Sequence, residues 1–133
     1  MREESEGGRM HVVRVLAIRG ATTVERDDAE LVRSATRRLL EEIIARNGLR
    51  DDDVISVIFT VTQDLRSDFP ARAAREMGWE DVPLLCTMEI PVPGGLERCI
   101  RVLLHVTSQR ERSALQHVYL AGARSLRPDL HRD

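Results

Sequence analysis

Apolar residues along the chain fall into short, strand-length blocks separated by turn-forming residues, with one longer stretch of helical period. The first block, His11 to Ile18 (HVVRVLAI), is rich in Val and bounded by Arg19-Gly20. It predicts a strand followed by a turn over Gly20-Ala21-Thr22-Thr23. A helix opens where Asp27 and Glu30 have capping-box-like spacing. Its apolar stripe runs through Leu31, Ala35, Leu39 and Ile43, widened by Val32, Leu40 and Ile44. Asn47-Gly48 closes it, because glycine takes the left-handed conformation that ends helices.

A polar turn, Arg50 to Asp53, leads into Val54 to Val61 (VISVIFTV), a nearly apolar and therefore buried second strand. Asp68 then caps a short helix over Phe69 to Met77, with Pro70 in its first turn and Gly78 past its end. Val82 to Ile90 reads as a third strand. Pro91, Pro93, Gly94 and Gly95 form a connection that cannot be regular sheet. The fourth strand, Leu96 to Val106, alternates. Ile100, Val102, Leu104 and Val106 share one face, and Cys99, Arg101, Leu103 and His105 share the other. Leu115 to Leu126, which contains Tyr119, fits either a short strand or a helical turn.

The order is β-α-β-α-β-β, a single α+β domain with a mixed sheet. Its two β-α-β passages imply parallel neighbours joined by right-handed crossovers. Four strands and two helices leave one sheet face poorly covered, so a homo-oligomer is expected. Residues 1–10 are polar and read as a disordered extension, 11–126 as the domain, and 127–133 as a flexible tail.

With 133 residues, 42% of them apolar and 32% charged, the chain has the make-up of one soluble domain. Only four residues are aromatic, so Leu, Val, Ile and Ala must build the core. A net charge of −2 gives no general attraction to nucleic acid or to anionic membrane. No apolar run has the length of a membrane span, and the N-terminus lacks the apolar centre of a signal peptide. Cys86 and Cys99 lie in strand blocks without metal-type spacing and read as reduced core thiols of a cytoplasmic protein.

A charge inside a strand that otherwise reads as core needs a partner or a ligand, because desolvating it is costly. Glu89 and Arg101 are such charges. Arg19 at a strand end, Arg72 and Arg75 on the short helix, and Arg127 near the tail add cations suited to a small polyanion. The plainer reading makes each an ordinary ion pair, with Glu89 the partner of Arg101. His105 and His117 lack a neighbouring group in any nucleophile arrangement, and there is no phosphate-binding glycine loop, zinc spacing or nucleophile elbow. The residues by themselves reach an oligomeric α+β domain with an anion pocket.

Five segments in order carry a resemblance: IRGATTVERD (Ile18 to Asp27), FPARAAREMGW (Phe69 to Trp79), VPLLCTMEIPVPGGLERCIRV (Val82 to Val102), HVYL (His117 to Leu120) and LRPDL (Leu126 to Leu130). Over nearly everything from Val12 onward the chain resembles the monofunctional chorismate mutases of the homotrimeric, pseudo-α/β-barrel class. The resemblance implies a cofactor- and metal-free rearrangement of chorismate, a dicarboxylate, to prephenate, at sites between subunits. It implies that Arg101 bonds the breaking ether oxygen and that Arg19 and Tyr119 hold a side-chain carboxylate. Glu89 would accept from the ring hydroxyl with Cys86 close by, and Phe69 would pack on the substrate. Arg75 and Arg127 would add charge at the mouth, with Arg72, Leu85 and Leu126 also lining the site. Arg72 stands where the family carries lysine, and Leu85 where it carries threonine. Strict alternation puts Cys86 and Glu89 on opposite strand faces. The competing readings are a trimeric YjgF-like module that binds or deaminates imines, and a structural oligomer with a buried Arg101–Glu89 salt bridge.

Overall fold

The computed structural model describes residues 12–127. The N-terminal extension, His11 and the tail beyond Arg127 lie outside the described residues. Five strands form one sheet: β1 (Arg14–Thr23), β2 (Val54–Val61), β3 (Leu84–Met88), β4 (Cys99–Ser108) and β5 (Val118–Tyr119), in the order β3-β2-β4-β1-β5. β4 runs antiparallel to both of its neighbours, β1 and β2, while β2/β3 and β1/β5 are parallel pairs. The two helices are α1 (Ala29–Asn47) and α2 (Ala71–Glu76).

The expectation of successive parallel neighbours holds for β2 and β3 but not for β1 and β2, because β4 lies between them. An alternating strand with one apolar face gains ladder bonds on both edges there, and its inward row Ile100, Val102, Leu104 and Val106 becomes the centre of the core. Val102, Leu104 and Val106 of that row cluster with Leu16 and Ile18 of β1, Val57 and Phe59 of β2, and Leu39, Leu40 and Ile43 of α1, while Ile100 packs with Val32 and Leu65.

The predicted turn at Gly20 to Thr23 is instead the second half of β1. Gly20 serves close approach rather than a turn. A Cβ there would come within 2.8 Å of Ile43 Cδ1 and 3.1 Å of Val102 Cγ1, so its absence lets α1 sit down on the sheet. The cap of α1 is Asp28, not Asp27, with Oδ1 accepting from the backbone N–H groups of Glu30 (2.9 Å) and Leu31 (3.2 Å). Asp27 turns the other way and accepts from the N–H groups of Arg66 and Ser67, tying down the 62–68 loop. The buried stripe of α1 is Val32, Thr36, Leu39, Leu40, Ile43 and Asn47, rotated slightly from the predicted one. Thr36 is tolerated inside because its hydroxyl donates to the Val32 carbonyl at 2.7 Å.

Other boundaries move for local reasons. α2 is shorter than predicted and is not capped by Asp68: Pro70 is its N-cap without a side-chain bond, and Asp68 accepts from the N–H of Phe69 ahead of it. β3 is trimmed to lie between Pro83 and Pro91. β4 begins at Cys99 because Arg98 takes a left-handed φ of 48°, which breaks the strand between Leu96 and Cys99. The stretch from Leu115 to Leu126 resolves its ambiguity by being both: β5 followed by a 3₁₀ helix over Ala121–Leu126.

Helix α1 ends as predicted, at Gly48 with φ 60°. Asn47, however, does more than punctuate. It is buried, its Nδ2 donates to the carbonyls of Ile43 and Gln116, and its Oδ1 accepts from the Gln116 N–H at 2.7 Å. One side chain thereby fastens the segment leading into β5. Asn47→Leu leaves the Gln116 backbone groups unpaired and is expected to cost about 2–4 kcal/mol of unfolding free energy by urea titration. A cost below about 1 kcal/mol would mean water replaces the amide there.

Candidate active site

Both helices cover the same face of the sheet. On the other face Val15, Ala17, Arg19 and Leu85 are exposed, and Ile58 and Leu103 only half-buried. One row of paired positions crosses all five strands on this open face: Thr87, Thr60, Arg101, Ala21 and Tyr119. Ala21, the smallest side chain in the row, stands between Arg101 and Tyr119. Beside this row a cleft of about 280 Å³ is lined by Arg19, Thr60, Glu89, Arg101 and Tyr119, with Ile58 and Leu103.

Glu89 follows β3 and is anchored by its backbone N–H to the Val61 carbonyl at 2.9 Å. Its Oε2 pairs with Arg101 Nε at 3.2 Å and also accepts from the Thr60 hydroxyl. In the single chain Arg101 remains nearly half exposed, its side chain at 47%. Among the described residues no other carboxylate pairs with Arg101. A second cleft of about 520 Å³ shares Glu89 and Arg101 but is walled by Asp64, Glu97 and the 90–97 loop, which suits an anion poorly.

Tyr119 is buried with Ala21, Cys99 and Ala123, and Leu126 packs against that group. Burial pushes the Cys99 thiol up to about 11, so at neutral pH it is an inert thiol beside the site rather than a nucleophile. Arg19 is set by its own backbone: its N–H donates to Nδ1 of His117 at 2.9 Å. Burial, and then the charges of Arg19 and Arg127, push the His117 pKa below its ordinary value, which keeps the ring neutral and able to accept.

The remaining predicted residues lie elsewhere on the chain. Cys86 is half-buried and packs on the helix-covered face as the partner of Phe59, opposite in facing to Glu89, as alternation requires. Leu85 is 61% exposed on edge strand β3, and Phe69 is 62% exposed just ahead of α2. Arg72 and Arg75 are exposed on α2, where Arg72 Nε pairs with Asp68 Oδ1 at 3.0 Å. Arg127 ends the described chain. One chain therefore gathers Arg19, Glu89, Arg101 and Tyr119, with Leu126 adjoining. It does not bring Phe69, Arg72, Arg75, Leu85 and Cys86 to that cleft. Among the described residues, no group of three or more His, Cys, Asp or Glu is placed to hold a metal ion.

Two participants escaped the sequence reading. Thr60 is hidden in an apolar block, although the inward facing of Val57 and Phe59 would have put it on the face of Arg101. His117 was noted only as lacking catalytic neighbours, because its partner is a backbone amide 98 positions away.

The family described as chorismate mutase type I matches residues 15–130. The chain is 50% identical over 117 residues to chorismate mutase AroH of Thermus thermophilus, covering 87% of this chain and 96% of that one. It is 45% identical over 117 residues to chorismate mutase AroH of Bacillus subtilis, covering 87% and 92%. Among solved structures, a chorismate mutase from Clostridium thermocellum superposes with a TM-score of 0.83 at 52% identity, over 84% of this chain and 99% of that one.

The His117 contact generates a pH dependence whose sign is fixed. A folded-state pKa below the unfolded value near 6.5 means the stabilisation is complete above that value and is lost as pH falls through the lower folded one. Between pH 7.5 and pH 5, thermal denaturation should therefore show a larger loss for the parent than for His117→Asn, whose amide oxygen accepts the same bond without titrating. Equal losses would remove His117 from the pH response.

Proposed function

The chain belongs to the type I chorismate mutases and converts chorismate to prephenate, and we propose that the open-face cluster of Arg19, Glu89, Arg101 and Tyr119 is the half of the active site that governs the chemical step. The observation that carries this reading is the row across the sheet. It places Arg101 and Tyr119 two strands apart at one level, and the cleft beside them adds the Glu89 carboxylate and the Arg19 guanidinium. The comparisons lend no support to an imine-binding module.

The rearrangement is concerted and intramolecular: a C–C bond forms as the ether C–O bond breaks, with no proton transfer and no covalent enzyme intermediate. What the protein can supply is conformational restraint and charge placed where charge develops. Arg101 donates to the ether oxygen, which grows negative as its bond to carbon lengthens. A fixed donor of this kind is worth roughly 3–4 kcal/mol in the transition state. Arg19 and Tyr119 hold a side-chain carboxylate, folding the substrate so that the bonding carbons meet. Glu89 accepts from the ring hydroxyl through Oε1, since its carboxylate meets Thr60 and Arg101 through Oε2.

The cleft of one chain, at about 280 Å³, is small and open for a substrate that must be shielded from water. Its face also carries exposed Val15 and Leu85, surface that a second chain would cover. We take the working unit to be a homotrimer in which an adjacent subunit adds Phe69, Arg72, Arg75, Leu85 and Cys86 to this cleft, with Leu126 and Arg127 at its rim. In that arrangement Arg72 and Arg75, on the exposed side of α2, meet the substrate's carboxylates. No described helix is long and apolar enough to cross a membrane, and the enzyme is proposed to work in the cytoplasm.

Loss of chorismate absorbance, with prephenate confirmed by acid conversion to phenylpyruvate, measures the activity. Arg101→Ala should lower kcat about a thousandfold while the assembly stays intact. Unfolding or dissociation instead would return Arg101 to a structural role. Sharing of the site between subunits has its own test. Arg101→Ala and Arg75→Ala chains, each inactive alone, should recover roughly a quarter of parental activity when refolded together, because that share of interfaces then joins two intact halves. No recovery would mean that each chain carries a complete site.

A further inference from the structure

We propose that Thr60 is a positioning residue for the reaction, holding Glu89 so that Glu89 neither abandons the substrate nor closes over Arg101. The inference rests on the reading of Glu89 and Arg101 given above and adds the group that sets their geometry. On β2, Thr60 is the paired position of both Arg101 on β4 and Thr87 on β3, so it stands between Arg101 and the strand that leads into Glu89. It is half-buried, and its hydroxyl donates to Oε2 of Glu89, the same oxygen that Arg101 Nε engages.

The chemistry of that shared oxygen makes the hydroxyl consequential. A carboxylate facing a guanidinium prefers the bidentate fork, with two parallel N–H···O bonds. Such a fork would commit both Glu89 oxygens and two Arg101 donors to each other. It would leave neither the acceptor for the ring hydroxyl nor the full donor set for the ether oxygen. A second donor on Oε2 opposes that collapse. It fixes the carboxylate by one oxygen, keeps the ion pair single-stranded through Nε, and leaves Oε1 for the ligand. Threonine suits the role because its χ1 is stiff within a strand, so the hydroxyl direction is set by the backbone. Its hydroxyl bonds Glu89 from β2, the neighbouring strand, and so adds a restraint from outside the β3 segment that carries the carboxylate.

The test uses the full-length protein and three substitutions. Thr60→Val keeps the shape and strand preference of the residue and removes only the hydroxyl. It should lower kcat/KM roughly tenfold to a hundredfold, mostly through kcat, because the Arg101 bond it disturbs matters most in the transition state. Thr60→Ser should restore activity to within about threefold of the parent, since the donor returns. In a Glu89→Ala background, Thr60→Val should cost less than about twofold more, because the group it positions is gone. Parental kcat in Thr60→Val would overturn the proposal. So would an equal loss in Thr60→Ser, or a full additional loss in the Glu89→Ala background. Should Glu89→Ala itself keep parental activity, the assignment of Glu89 falls and this proposal with it, a result distinct from a failure of Thr60 alone. Thermal denaturation of Thr60→Val close to that of the parent separates the effect from misfolding, and Thr60→Ser serves the same end if it is not.

Discussion

The pairing of β4 with β1 on one edge and β2 on the other is the constraint on which the rest depends. The last long strand of the chain is inserted between the first two, antiparallel to both. Its inward row fills the core under α1. Its outward row carries Arg101, and the register of both ladders decides what surrounds that side chain. Thr60 stands opposite on one side and Ala21 on the other, so a slip by one residue in either ladder would turn Arg101 into the core or its neighbours away from it. Core and chemistry are thus two faces of one strand, and they are fixed by the same hydrogen bonds.

Much of this was readable from residue types. β2 could be bounded to the residue because Val54 to Val61 is apolar between polar turns, and the facing of Arg101 followed from the alternation of Ile100, Val102, Leu104 and Val106. The four charged and phenolic groups of the cleft were named, two of them because a charge within a core-like strand requires a partner. Their assignment to one reaction came from the family resemblance, not from spacing.

What was not legible depends on contacts far apart in sequence. Gly20 looks like a turn because local rules see a glycine, while its reason is the approach of Ile43 and Val102. Asp27 and Asp28 are indistinguishable as caps until the 62–68 loop claims one of them. Parallel adjacency of β1 and β2 is the default for a β-α-β unit, and only the arrival of β4 displaces it. His117, Asn47 and Thr60 bond to backbone or to a residue on another strand, and no periodicity reports such partners. Placement of Phe69, Arg72 and Arg75 away from the cleft is likewise invisible to a one-dimensional reading that knows them only as members of one family pattern.

The insertion of β4 also sets the order in which a newly made chain can become an enzyme. β1 cannot pair along its length until residue 108 has been synthesised, and Arg19 is not set until His117 is available some 98 positions later. Contacts of such separation close slowly, because a long loop's entropy must be lost before any bond is gained. An unfinished chain therefore holds β1 and β2 as strands with unpaired edges, and α1 with no complete sheet to cover. The cleft is completed only in the last part of translation, when Arg101 and Tyr119 join Arg19 and Thr60, so activity and the protection of those edges begin together.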